Sequence, residues 1–169
     1  MPENPTEVVI PKEKAVFRLD ARGRWCNAHG VFRNRRISDY FHAAIGRDEG
    51  GYFVRQEWSG VIEKVYFPYE DTALFVVDVE GGAPVRLRLN TRREIVLEPV
   101  NLIVAGESLY MVQDGERIKF SERAMLKLAE MMEFTEEGYF ITVQGGRHRI
   151  RETDAEGASN RLSPPRGPL

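Results

Sequence analysis

The chain of 169 residues is long enough for one domain or two small lobes, and it needs no disulfide or metal staple to bury a core. Its 42% hydrophobic and 30% charged residues are ordinary for a globular protein, and a net charge of −2 gives no global drive towards nucleic acid or an anionic membrane. Cys26 is the only cysteine, which excludes an internal disulfide and a Cys-rich zinc site.

The opening MPENPTEVVIPKEK has no basic segment leading into an apolar one, so no secretory signal is expected. The longest apolar run, residues 73–77, is too short to span a bilayer, and the reading is of a cytoplasmic protein. Residues 1–14 hold three prolines and scattered charges and are expected to be a flexible tail.

A first lobe is expected over residues 15–70. Val16 to Leu19 open a strand, and Asp20-Ala21-Arg22-Gly23 turns it towards Arg24-Trp25-Cys26. Asn34 caps a helix predicted over residues 35–45. Its apolar residues Ile37, Tyr40, Phe41, Ala44 and Ile45 form the stripe of a helix lying on a core, and Gly46 stops it. A polar turn, 47–50, leads into the strand Tyr52 to Arg55. Residues 61–67 and 74–79 read as strands on either side of the turn 68–71, and Val85 to Leu89 alternates as a half-buried strand.

A second lobe is expected over residues 71–150, where the opening pattern returns. A hairpin over 109–119 leads to Ser121, which caps a helix predicted over 121–133 with apolar Ala124, Met125, Leu128, Ala129, Met131 and Met132. The strand Gly138 to Val143 and a last hairpin through Gly145-Gly146 follow. Residues 151–169, polar and rich in Gly, Ser and Pro, are expected to be a disordered tail.

Laying Gly51-Tyr52-Phe53 on Gly138-Tyr139-Phe140 gives an offset of 87 residues. In that register Ile37, Phe41, Ala44 and Ile45 meet Ala124, Leu128, Met131 and Met132, and the cap Asn34 meets Ser121. The expected fold is therefore α+β, with two small lobes from a duplicated hairpin–helix–strand motif, each a helix packed on a mostly antiparallel sheet.

Phe17 and Asp20 followed by Gly23 and Trp25, then Arg47-Asp48-Glu49 before Gly51-Tyr52, carry a family resemblance. Glu63-Lys64-Val65, Glu70-Asp71 and the strand through Phe75 and Val77 extend it. Together these residues resemble the bacterial domain-of-unknown-function 1285 family over residues 15–150. The resemblance implies an α+β fold of two lobes with repeated motifs and a role in signalling. It implies no established activity and no catalytic residues.

No phosphate loop, dinucleotide fingerprint, zinc-protease helix or nucleophile elbow occurs in the chain. Cys26 and His29 invite a nucleophile–base reading but lack an orienting third group, and a lone cysteine beside Trp25 reads more simply as a small buried hydrophobe. His42 falls opposite the helix stripe and reads as a surface residue, and with His148 in a terminal hairpin the three histidines make no metal site. Glu63, Glu70, Asp71 and Asp78 fall on or between neighbouring strands, where solvated strand and turn positions explain them without acid–base chemistry. No catalytic residue, metal ligand or cofactor is assigned.

Charge is distributed unevenly. Residues 18–55 carry eight arginines against Asp20, Asp39, Asp48 and Glu49, whereas residues 56–80 carry Lys64 against six acids. Arg33, Arg35 and Arg36 crowd the start of the first helix, where the macrodipole disfavours cations, and they form the candidate site for a small anionic ligand or an acidic protein partner. Pairing with the acidic strands is the competing account. The function expected is a non-catalytic ligand- or protein-binding module with a signalling role. The alternatives are a structural or assembly protein, or an enzyme of unrecognised type. No nucleic acid or membrane partner is expected, and a homodimer is left open.

Overall fold

The computed structural model describes residues 4–154. It is a mixed α+β protein, mostly sheet, with two α-helices. The chain divides into two compact units. Among the described residues, the first comprises 4–73 with Asn90–Arg92, and the second Leu74–Leu89 with 93–154. The division thus falls three residues beyond the expected 70/71 boundary and returns one short turn to the first unit.

The first unit contains β1 (Thr6–Ile10), β2 (Arg18–Leu19), β3 (Trp25–Asn27), β4 (Gly30–Val31), α1 (Arg35–Ala43), β5 (Ile45–Asp48), β6 (Gly51–Trp58) and β7 (Val61–Tyr66). Strands β1, β7, β6 and β5 form one sheet in that order, and β2, β3 and β4 form a small second one. Residues 6–10, expected in a flexible tail, are instead ordered as β1. It pairs in parallel with β7, Thr6 opposite Val61 through Ile10 opposite Val65. The backbone hydrogen bonds of a sheet edge supply what the segment's own side chains, mostly exposed, do not.

The β2–β3 turn is built by Asp20, whose Oδ1 accepts from the amides of Arg22 (3.0 Å) and Arg24 (2.8 Å) while Oδ2 accepts from Arg24 Nε (2.8 Å). Burial raises the Asp20 pKa, but these hydrogen bonds outweigh it and hold the carboxyl below its ordinary value. Beneath the turn lies an aromatic core. Trp25 is buried against Phe67 (centroids 4.9 Å), Phe17 (5.6 Å) and Phe41 (5.6 Å), each edge to face.

On the β5–β6–β7 sheet a methyl group at Gly46 would stand 2.6 Å from a ring carbon of Phe53. That ring is packed on Tyr66 at 5.8 Å and lies 4.4 Å beneath the Lys64 ammonium, so it cannot retreat freely. Gly46→Ala should therefore cost about 1–3 kcal/mol by overpacking. Urea denaturation checks this, and pairing the change with Phe53→Leu should recover part of the loss.

The second unit contains β8 (Leu74–Glu80), β9 (Arg86–Leu89), β10 (Glu94–Val96), β11 (Leu102–Ala105), β12 (Ser108–Gln113), β13 (Glu116–Phe120), α2 (Glu122–Leu128), β14 (Met132–Thr135), β15 (Gly138–Val143), β16 (Gly146–Arg149) and β17 (Arg151–Thr153). Its main sheet runs β10–β9–β8–β13–β12–β11–β17, and β14–β15–β16 form a three-stranded meander. Residues 151–153, expected in a disordered tail, pair in parallel with β11; the rest of that expected tail, 155–169, lies outside the described residues. Leu87, Leu102, Met111, Ile118, Leu128 and Ile141 are fully buried.

The two helices do not pack alike. Helix α2 is capped by Ser121, whose Oγ accepts from the Ala124 amide at 3.2 Å, and it buries Ala124 and Leu128 while lying on β8. Helix α1 buries no residue completely. Of its expected stripe, Ile37 and Tyr40 are about half exposed, at 47% and 52%, and Phe41 alone reaches Phe17, Trp25 and Phe32. The expectation of a helix laid across each sheet holds for α2 and not for α1, which rests on an aromatic cluster beneath one side.

Candidate functional site

Helix α1 begins at Asn34, whose Oδ1 accepts from the amides of Arg36 (3.0 Å) and Ile37 (3.2 Å). The cap satisfies two of the N–H groups that a helix start would otherwise present to an anion. The three arginines expected to share a site there diverge. Arg35 points into solvent, with its Nε 3.9 Å from Asp39 one turn on. Arg33 lines a groove with Val31, Phe32, Ile37 and Phe41. Arg36 lines a different groove, of about 560 Å³, with Asp39, Tyr40, Ala43, Ala44 and Arg92.

Arg92 is the residue that the sequence reading misses. It lies in the Asn90–Arg92 turn, which belongs to the first unit, and its backbone is left-handed at φ +71°. Such a conformation favours glycine and costs another residue roughly 1 kcal/mol. The turn is held by Asn90, whose Nδ2 lies 3.1 Å from His42 Nδ1 and 3.1 Å from the carbonyl of Ala73. Among the described residues neither Arg36 nor Arg92 has an ion pair, and Asp39, the acid in the same groove, has its ion pair with Arg35 at 3.9 Å. Two arginines from positions 56 residues apart thus line one open groove together with Asp39, Tyr40 and two alanines.

His42 is not the surface residue expected from its place opposite the stripe. Its ring is 5.5 Å from Trp25, and burial lowers its pKa to about 4, against the smaller raising effects of Asp39 and a backbone hydrogen bond with Gly23. Cys26 is buried, its thiol pKa raised first by burial and then by Asp20, which is the reverse of an activated nucleophile. His29 is exposed, with its amide donating to Asn27 Oδ1, and among the described residues no hydrogen bond joins it to Cys26.

The carboxylates noted in the sequence have local duties. Glu70 Oε2 accepts from the Ala21 amide at 3.1 Å, and Asp78 pairs with Lys127 and with Arg88. Asp48, on β5, pairs with Lys64 on β7 and accepts from Tyr66 Oη at 2.8 Å. Each charge of that pair is favoured by the other, the Asp48 pKa being lowered and the Lys64 pKa raised first by their shared hydrogen bond. This trio is a satisfied network on a sheet surface. Among the described residues no group of three or more His, Cys, Asp or Glu is placed to hold a metal, and no helix is long and apolar enough to cross a membrane.

No protein-family model matches the chain, and no curated protein matches it. Among solved structures it is similar to a DUF1285 family protein from Silicibacter pomeroyi DSS-3, at 14% identity with a TM-score of 0.59. That match covers 94% of this chain and 93% of the other. A DUF1285 family protein from Shewanella baltica OS155 matches at 15% identity with a TM-score of 0.49, covering 70% of this chain and 94% of the other. Neither description assigns an activity. Over nearly its whole described length the chain has the fold of a domain-of-unknown-function 1285 family protein.

Proposed function

We propose that the protein is a non-catalytic binding module whose first unit receives a small, multiply charged anion in the groove between α1 and the Asn90–Arg92 turn. Arg36 and Arg92 supply forked donors to the anion, and Tyr40 flanks it. The observation that carries this reading is the pair of guanidiniums lining one groove with no ion pair to either among the described residues. Two arginines against the single acid Asp39 leave the groove with a net positive charge, which a bound anion offsets. The left-handed backbone of Arg92 points the same way, since a position suited to glycine carries an arginine instead.

The role is that of a cytoplasmic, ligand-responsive signalling protein in the domain-of-unknown-function 1285 family. Duplication of one motif accounts for its two units. At the offset of 87, Ile45 opposite Val54 and Asp48 opposite Gly51 repeat as Met132 opposite Ile141 and Thr135 opposite Gly138. Gly51 and Gly138 share a positive φ, +114° and +126°.

Inorganic pyrophosphate is the probe. Arg92→Gly should weaken its binding at least about tenfold, the loss of one charge-assisted hydrogen bond, while leaving the melting temperature unchanged or raised. Arg36→Ala should weaken it similarly, and Arg35→Ala should not. Calorimetric titration showing no wild-type binding at millimolar pyrophosphate, or equal binding by all four proteins, would sink the proposal.

A further inference from the structure

The groove containing Arg33 differs in kind from the one containing Arg36. It encloses about 460 Å³ between the β3–β4 hairpin and α1, with Val31, Phe32, Ile37 and Phe41 as its apolar lining and His29 and Arg33 among its polar residues. That volume lies within the range of small-molecule sites. Val31 and Ile37 remain 43% and 47% exposed, and Phe32 meets Phe41 edge to face at 5.4 Å. No acid lines this groove, and Arg33 has no ion pair among the described residues. The two asparagine side-chain oxygens there are already engaged, Asn34 Oδ1 with the helix amides and Asn27 Oδ1 with the His29 amide, which leaves the His29 ring and the Arg33 guanidinium as its polar groups.

We propose that this groove binds an amphipathic monocarboxylate, its apolar body against Val31, Phe32, Ile37 and Phe41 and its carboxylate on the Arg33 guanidinium. Two features select that chemistry. One guanidinium matches one carboxylate in a planar, two-bond fork, whereas a phosphate dianion is better served where two cations converge. Exposed aliphatic and aromatic surface gains from covering by an apolar body, at roughly 25 cal/mol for each Å² removed from water, and a bare inorganic anion removes none of it. Complementarity of charge and apolar surface thus points to a molecule carrying both.

The test uses the full chain with decanoate below its micelle concentration, followed by amide NMR shifts, with decanol and inorganic phosphate as comparators. Decanoate should bind saturably with shifts centred on α1 and the β3–β4 hairpin, and decanol at least about tenfold more weakly. Arg33→Gln should reduce decanoate to the level of decanol, and Ile37→Asp should abolish both. Arg36→Ala and Arg92→Gly should leave decanoate binding unchanged, so the outcome is separate from that of the pyrophosphate experiment. Equal binding of decanoate and decanol by the wild type, absence of saturable binding, or indifference to Arg33→Gln would overturn the proposal. So would self-association, read by sedimentation in the same samples and lost in Ile37→Asp, which would assign the groove to a second copy of the chain.

Discussion

Trp25→Ala should destabilise the protein by about 3–5 kcal/mol, the range for deleting a large buried aromatic side chain. Trp25 is 1% exposed and sits where Phe17, Phe41 and Phe67 converge, so its loss opens a cavity that three edge-to-face partners cannot fill together. Against a total stability of about 5–15 kcal/mol this is a large share. Trp58, 65% exposed at the end of β6, provides the control, and Trp58→Ala should move the urea midpoint little. Trp25→Phe should cost less than Trp25→Ala. It keeps a ring in place, and it removes an indole N–H that is buried without a hydrogen-bond partner. Far-UV circular dichroism in urea reads all three. An unchanged midpoint for Trp25→Ala would show that the aromatic cluster does not carry the first unit.

Where side chains close to one another in sequence determine an element, the fold could be read directly. Asn34 and Ser121 do cap helices, the strands β6 and β15 do start at the two Gly-Tyr-Phe triplets, and Asp20 does close the turn before Trp25. Strands β5 (Ile45–Asp48) and β14 (Met132–Thr135) replace the expected ends of the two helices and the turn 47–50, because each pairs with the Gly-Tyr-Phe strand that follows it. The two strands at the ends of the described chain, β1 and β17, share a different cause. Each pairs in parallel with a strand about fifty residues away, β7 and β11 respectively, so its order comes from hydrogen bonds to distant backbone. Local apolar pattern carries no trace of such pairing. For α1 the periodic stripe correctly gave a helix but overstated its burial, since periodicity reports which residues share a face and not whether anything covers it.

The candidate site was legible only in part. The excess of arginine around the first helix was visible, but the sequence placed Arg33, Arg35 and Arg36 together because they are neighbours in the chain. On a helix and the residue before its cap they point to different sides, and the groove pairs Arg36 with Arg92 instead. The segment Asn90-Thr91-Arg92-Arg93 links two strands without a glycine, and the left-handed backbone of Arg92 is a property of the folded turn that its composition does not announce. The burial of His42 has the same physical origin as the exposure of α1's stripe, since helical periodicity does not say which face is covered. The helix is partly covered on both sides, and the ring opposite the stripe meets Trp25 and Asn90.

That burial gives His42 a measurable effect on stability. Folded, its pKa is about 4, against an ordinary value of 6.5. The unfolded chain therefore binds a proton between those values that the folded chain does not, and stability falls as pH falls. The contribution is fully present above about pH 6.5 and is lost as pH drops through 6.5 towards 4. At about 1.36 kcal/mol for each pKa unit it amounts to roughly 3 kcal/mol. The lowered carboxyls of Asp20, Asp48 and Asp78 also lose stability on acidification, in a window that begins near 3.8 and lies mostly below that of His42. Comparing the wild type with His42→Gln cancels their share. Between pH 7 and pH 4 the wild type should lose about 2–3 kcal/mol more than the variant in urea denaturation. The His42 ring resonances should also stay in their neutral positions down to about pH 5, a reading that does not depend on the variant folding. A ring that titrates near 6.5, or parallel stability profiles for the two proteins, would place His42 in solvent and detach the Asn90–Arg92 turn from it.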